Sequence, residues 1–253
     1  MTDIYINIMS DKINYLCIGV QKAGTTSIIN YLNLNPDIFC KEEESHFFDN
    51  NHDNDITKYE KSFVSNKKIK GEKTPSYCYL RYAINKIYKY NPDMKLILLL
   101  REPISRAYSQ YNMELNRRID YKKIPYIKEF LREKDTKLKD ITENKDYYIV
   151  RGYYDKIIEY ILTIFPKKNL CISISEEIRE NPEVEYNKIY AFLGARKIKI
   201  NQNLNTHIGY YSSKIPKDLE SMLYNIYKPH NEALYKLLGR KIDIWEKYYD
   251  RLK

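Results

Sequence analysis

Gly19 and Gly24 stand five residues apart, with Lys22 between them and Thr25-Thr26 directly after. Residue types in this order can hold an anion. The apolar run Tyr15-Leu16-Cys17-Ile18 precedes them, and a helical pattern through Ser27-Ile28-Ile29-Tyr31-Leu32 follows. The stretch reads as a strand, a tight loop and a helix start. Its glycines let backbone N–H groups curl around a phosphate, and the helix N-terminus adds partial positive charge. Lys22 brings a mobile cation. The GxxxxG spacing is that of a Walker A loop, yet Lys-Ser/Thr does not follow the second glycine, as Mg-nucleotide binding requires. The second apolar run, Met94 to Leu100, ends in Arg101 where a metal-binding Asp would be expected. A phosphate ester suits this loop better than Mg-ATP. A glycine-containing turn without a ligand has the same spacing, so the loop alone does not decide.

Three further constellations narrow the reading. In Arg101-Glu102-Pro103-Ile104-Ser105-Arg106-Ala107-Tyr108-Ser109, Arg101 falls at a strand's carboxyl end and Pro103 suits the first turn of a helix. Ligands of open α/β sheets bind at such strand ends. Arg101 offers a planar fork for a phosphate, and Ser109, two turns on, a hydroxyl. Upstream lie Glu42-Glu43-Glu44-Ser45-His46-Phe47-Phe48-Asp49 and Gly71-Glu72-Lys73-Thr74-Pro75-Ser76-Tyr77.

These four motifs, in this order, resemble the sulfotransferases that use 3′-phosphoadenosine 5′-phosphosulfate (PAPS). Gly19 to Thr26 is similar to their 5′-phosphosulfate loop, and Arg101 to Ser109 to their 3′-phosphate motif. The Glu44 and Lys73 motifs resemble the heparan sulfate (glycosaminoglycan) branch, and the resemblance runs from about Tyr15 to Trp245. It implies a P-loop-like three-layer α/β fold, with a central parallel sheet flanked by helices. It also implies a donor site of Lys22, Ala23, Gly24, Thr25 and Thr26 at the 5′-phosphate, with Arg101 and Ser109 at the 3′-phosphate. Tyr210, in Thr206-His207-Ile208-Gly209-Tyr210, would close over that end. Glu44 is the implied general base, with Glu42 and Glu43 as neighbouring candidates in the same acidic run. Lys22 and Lys73 would stabilise the charge that grows on transfer. His46 would orient the acceptor or share the proton, Asp49 is a weaker acceptor contact, and Arg151 would face nucleotide or acceptor. The implied acceptor is a carbohydrate hydroxyl or amine, glycosaminoglycan-like, whether already acidic or neutral. Small-molecule sulfotransferases usually place a His where this chain has Glu44. No metal is implied.

The elements that must position these groups are legible as alternation. Strand-like runs at 15–18, 38–40, 69–72, 94–100 and 170–174 alternate with helical patterns, which argues for a parallel sheet covered on both faces. The last run, Leu170 to Ile174, reads as a buried strand. Leu219 to Leu238 reads as a helix broken at Pro229, and Asn201 to Ile215 as a long loop. A length of 253 residues suits one sulfotransferase domain over 1–253, with 1–13 as a short polar arm. The net charge of +9 favours anionic partners without naming one. Basic residues crowd Arg117 to Lys139, which reads equally as a wall for an acidic glycan and as a solvated amphipathic helix. The 27 tyrosines reflect gene composition as much as function. Cys17, Cys40, Cys78 and Cys171 show no CxxC, which favours buried free thiols and leaves one disulfide open. No signal peptide or membrane-spanning run is visible, so a soluble cytoplasmic enzyme is expected, unless the chain is cut from a longer anchored protein. A small-molecule kinase and a basic nucleic-acid-binding protein are the alternatives. Against the first stands the missing Lys-Ser/Thr, and nucleic acid is not the expected partner because no RRM, KH or zinc-finger signature is present.

Overall fold

The innermost strand, β1 (Tyr15–Gly19), is buried at every residue. A strand covered on both faces needs no polar alternation, and its run of apolar and aromatic residues has none. The computed structural model describes residues 12–50, 55–117, 130–133, 135–141, 147–201 and 214–252. It surrounds β1 with β2 (Ile38–Cys40), β3 (Ile69–Lys73), β4 (Lys95–Leu100) and β5 (Leu170–Ile174). All pairings are parallel and the order is β2-β3-β1-β4-β5.

That order creates a crevice. From β1 the chain passes through α1 (Thr25–Leu34) to β2 on one side. From β3 it returns through α3 (Arg81–Tyr90) to β4 on the other side, and α2 (Ile56–Lys61) lies between β2 and β3. Right-handed crossovers running in opposite directions put their helices on opposite faces. The chain therefore diverges at the carboxyl ends of β1 and β4, the switch point where open sheets bind ligands. Five further helices complete the layers: α4 (Pro103–Arg117), α5 (Tyr154–Ile164), α6 (Ser175–Glu180), α7 (Pro182–Leu193) and α8 (Lys217–Leu238). A final one, α9 (Asp243–Tyr249), ends the described chain. One layer joins α1 to α7, and the other joins α3, α5, α8 and α4.

Several expectations are adjusted. Helix α8 runs unbroken through Pro229. A mid-helix proline costs about 3 kcal/mol, but Leu219, Leu223, Tyr227, Asn231, Leu234 and Tyr235 form one continuous buried stripe that outweighs it. Strand β5 is an edge strand, and Leu170, Cys171 and Ile172 are only partly covered. The arm read as 1–13 stops earlier, because Ile13 is fully buried and its N–H meets the Tyr90 hydroxyl at 3.2 Å. All four cysteines are free thiols. Residues 202–213, read as a loop, lie outside the described residues.

Gly71 shows how tightly the sheet's centre is built. A Cβ there would come within 2.2 Å of the Tyr15 carbonyl oxygen on the neighbouring strand. Backbone cannot give way as a side chain can. We expect Gly71→Ala to destabilise the protein by about 3 kcal/mol, the upper part of the overpacking range. The urea-unfolding midpoint measures it, and an unchanged midpoint would contradict this packing.

Candidate active site

The loop from Val20 to Gly24 leaves β1 at the crevice. The Val20 N–H reaches the Leu99 carbonyl of β4 at 2.8 Å, which fastens the loop to the adjacent strand. Gly24 caps α1 at φ 89°, a left-handed conformation that side chains resist. No side chain caps α1, so its first-turn N–H groups face the crevice mouth with the positive end of the helix. Thr26 is exposed there and Thr25 is buried. Ala23 is buried within the loop. Its N–H donates to the Val20 carbonyl at 3.2 Å and shapes the loop from within.

Arg101, at the end of β4, donates from Nη1 to the Lys22 carbonyl at 2.9 Å. Lys22 has φ 72°, and this bond helps a residue hold a conformation it seldom adopts. The two expected phosphate motifs are thus joined. Ser109 is buried on α4, two turns from Arg101. The start of α4 rests on Glu102, which accepts from the Ile104 N–H at 2.9 Å, the Ser105 N–H at 2.6 Å and the Tyr249 hydroxyl at 2.8 Å. Arg151 stands behind the loop. It bonds Gln21 Oε1 and, at 2.7 Å, the Tyr79 hydroxyl. It is buried among these partners, so it backs the loop where exposure to a ligand was expected.

The second half of the site is a charged chain of contacts. Lys73, buried at the end of β3, places Nζ 2.5 Å from Glu44 Oε1. Glu44 Oε2 lies 3.3 Å from His46 Nε2, and His46 Nδ1 lies 2.9 Å from Asp49 Oδ2. Ser76 donates to the same Asp49 oxygen. Glu44 keeps 36% of its side chain exposed, so a molecule in the crevice can reach it. Glu42 and Glu43 are also exposed but carry no such contacts to Lys73 or His46 among those described. Asp49 has only 2% side-chain exposure. It serves His46 and does not face an acceptor, correcting the weaker expectation for it. Phe48 is core, and Phe47 stacks on Tyr59 at 4.0 Å.

Electrostatics follow from this geometry. Burial alone would raise the Glu44 carboxyl, but hydrogen bonds from His46 and Lys73 outweigh it and hold it below its ordinary value. The hydrogen bond to Asp49, then that to Glu44, raises His46 to about 10. His46 is therefore an imidazolium at neutral pH, a fixed cation between two carboxylates. Behind them, Glu72 is fully buried and pushed up to about 7 by desolvation. Sequence reasoning missed Glu72, because in Ile69-Lys70-Gly71-Glu72-Lys73 charged residues surround it and nothing local marks it as buried. Tyr210 and, within the basic segment Arg117 to Lys139, residues 118–129 and 134 lie outside the described residues.

His46 gives a signed pH dependence. Its pKa is higher folded than unfolded, so its stabilising contribution is complete below about 6.5 and is lost as pH rises through about 10. His46→Ala should therefore be more destabilised relative to the parent at pH 6 than at pH 10.5. Paired urea titrations read this difference, and a gap that widens with pH would refute the assignment.

Comparison with known proteins places these motifs in one family. The family model described as "Sulfotransferase domain" matches residues 12–235. Human heparan sulfate glucosamine 3-O-sulfotransferase 3B1 is 26% identical over 249 residues, which cover 88% of this chain and 63% of that protein. Human heparan sulfate glucosamine 3-O-sulfotransferase 5 is 28% identical over 254 residues, covering 90% and 72%. The chain thus spans less than two thirds of the first of these relatives. Among solved structures, a sulfotransferase from Alicyclobacillus acidocaldarius shares the fold with a TM-score of 0.74 at 24% identity, over 93% of this chain and 99% of that one. With the family model matched from before β1 into the last turn of α8, this chain belongs to the sulfotransferase domain family.

Proposed function

We propose that the chain works as one sulfotransferase domain that moves a sulfuryl group from PAPS to a sugar hydroxyl. The observation that carries this reading is the Glu44–Lys73 pair at 2.5 Å, set at the same sheet edge as the Gly19–Gly24 loop. The acceptor oxygen attacks sulfur, the bond from sulfur to the bridging phosphate oxygen breaks, and adenosine 3′,5′-bisphosphate leaves. The acceptor's proton passes to Glu44. Lys22, Thr25, Thr26 and the first-turn N–H groups of α1 would hold the 5′-phosphate, while Arg101 and Ser109 would hold the 3′-phosphate.

Lys73 has a double part in this scheme. In the free protein it neutralises Glu44, which is then a weak base. As negative charge grows on the bridging oxygen, Lys73 gains a competing partner. Its departure from Glu44 removes one of the two groups that depress that carboxyl. The base strengthens as the acceptor proton becomes acidic, so stabilisation is concentrated in the transition state.

A glycan acceptor is supported by two curated relatives, both named for heparan sulfate glucosamine, and by the +9 charge of the chain. An acidic glycan would be drawn electrostatically, and its binding should weaken steeply with salt, since exposed charges are screened within about 8 Å at physiological ionic strength. Sulfate transfer from PAPS to glycans, tyrosyl peptides and small alcohols, at two salt concentrations, tests acceptor class. Transfer to the small alcohols alone would overturn it.

Two measurements test the donor and the base. Adenosine 3′,5′-bisphosphate should bind more tightly than 5′-AMP by about 1.5–3 kcal/mol, the value of hydrogen bonds to a charged group. Equal affinities by calorimetry would remove the 3′-phosphate assignment. Glu44→Gln should retain nucleotide affinity and lose roughly 10²–10⁴-fold in turnover, while Glu42→Gln and Glu43→Gln change little. Full turnover in Glu44→Gln would place the base elsewhere.

A further inference from the structure

Glu72 is the only member of the Glu72-Lys73 pair without a part in the scheme above, and its contacts are specific. It accepts hydrogen bonds from Thr74 Oγ1 at 2.7 Å, the Tyr77 hydroxyl at 3.0 Å and the Tyr59 hydroxyl at 3.3 Å. Two of those hydroxyls are themselves acceptors from the loop that carries Glu44. Thr74 Oγ1 takes the His46 N–H at 3.4 Å. The Tyr77 oxygen takes the N–H groups of Phe47 at 2.9 Å and Phe48 at 3.3 Å. Three consecutive backbone donors, from His46 to Phe48, thus converge on one buried carboxylate, each through one hydroxyl. The loop has no regular secondary structure to hold it, and His46 sits at φ 48°, a conformation that a non-glycine residue keeps only when its surroundings enforce it.

We propose that Glu72 is the positioning residue that holds the Glu44 loop against Lys73, acting through Tyr77 and Thr74. The inference rests on the reading of Glu44 as the base. Adjacent residues of β3 then act on one loop from two sides: Lys73 takes the Glu44 side chain, and Glu72 takes the backbone that follows it.

The charged form of Glu72 does this work, because a carboxylate only accepts, and the Thr74, Tyr77 and Tyr59 hydroxyls all donate to it while two of them accept from the loop. Protonation removes acceptor capacity, so those hydroxyls must reorient, and the loop loosens. Burial raises Glu72 to about 7, so this exchange falls in the physiological range. The ionisable neighbours do not share that range. Tyr15 and Cys17 on β1, Cys40 on β2, Tyr59 on α2, and Tyr77 are all raised, Cys40 to about 12. Within the loop, Glu44 is lowered and His46 lies at about 10. Lys73, the adjacent cation, is paired with Glu44.

Glu72→Gln keeps the shape and removes the charge. We expect turnover to fall roughly 10- to 100-fold, the scale of a small misplacement of catalytic groups, with nucleotide affinity unchanged. Turnover of the parent should decline as pH drops through about 7, and Glu72→Gln should show no such step. Tyr77→Phe, which keeps the ring, should reproduce the loss of turnover, and the double variant should be no worse than the stronger single one. Amide exchange supplies a reading independent of activity: residues 46–48 should exchange faster in both variants, while β1 and β4 keep their protection. Unchanged exchange at 46–48 in folded Glu72→Gln or Tyr77→Phe overturns the anchor. A persistent step near pH 7 in Glu72→Gln also overturns it. Faster exchange at 46–48, in a protein that transfers no sulfate to any acceptor, upholds the anchor and overturns the function on which its catalytic meaning rests.

Discussion

A charge carried inside a sheet must find partners there, and β3 carries two in succession at the edge of the crevice. Burying an unpaired carboxylate or ammonium would cost several kcal/mol. Glu72 and Lys73 therefore dictate what packs over them. Lys73 requires an anion and receives Glu44. Glu72 requires donors and receives hydroxyls from Thr74, Tyr77 and Tyr59. The loop between β2 and α2 is drawn down by both demands. The Glu44 carboxylate is thereby presented at the end of β3 without a helix or strand to carry it.

The same solution recurs away from that loop. Glu102 gathers the first N–H groups of α4 and the Tyr249 hydroxyl. Glu133 accepts from the N–H groups of Tyr148, Ile149 and Val150. Both carboxyls are raised by burial, and their hydrogen bonds act against that rise. In each case backbone N–H groups without a ladder or helix partner are tied to the core through a buried acceptor. Tyrosine is the residue that makes this workable. Its ring fills apolar space while its hydroxyl reaches a carboxylate or a carbonyl, as Tyr154 does at the Arg101 carbonyl, 2.7 Å away. The abundance of tyrosine, read from sequence as a trait of the gene as much as of function, has a physical use in this core.

The donor half of the crevice depends on the strand order. Because β1 and β4 are neighbours, the Val20–Gly24 loop and Arg101 meet, and the Arg101–Lys22 bond makes one surface of two motifs separated by some eighty positions. Arg151 and Gln21 brace this surface from behind. The loop is tied at Val20 and Lys22 and open at the exposed Gly24 and Thr26.

Much of this was readable along the chain. Apolar runs mark β1, β2 and β4, since burial on both faces leaves no polar alternation to obscure them, whereas β3 is charged at three of its five positions and is marked by Pro75 after it. The glycine loop, Arg101 and the Glu44 and Lys73 motifs are local signals, because their chemistry is written in spacings of a few residues. What could not be read was every consequence of one distant segment meeting another. Pro229 looked like a break, yet α8 continues because its buried stripe is a tertiary quantity. The Ala23 N–H, read as part of the 5′-phosphate loop, donates to the Val20 carbonyl, a contact that spacing does not reveal. Asp49 and Arg151 looked available, yet both are buried supports. Glu72 was passed over because a carboxylate in a strand has meaning only once Tyr59, Tyr77, Thr74 and the 46–48 backbone are known to surround it. Sequence determined which chemical groups the protein carries and which elements deliver them. The fold alone decided which of those groups face the crevice and which are held beneath it, because burial and hydrogen bonding between distant segments are properties of the packed chain and not of any stretch of it.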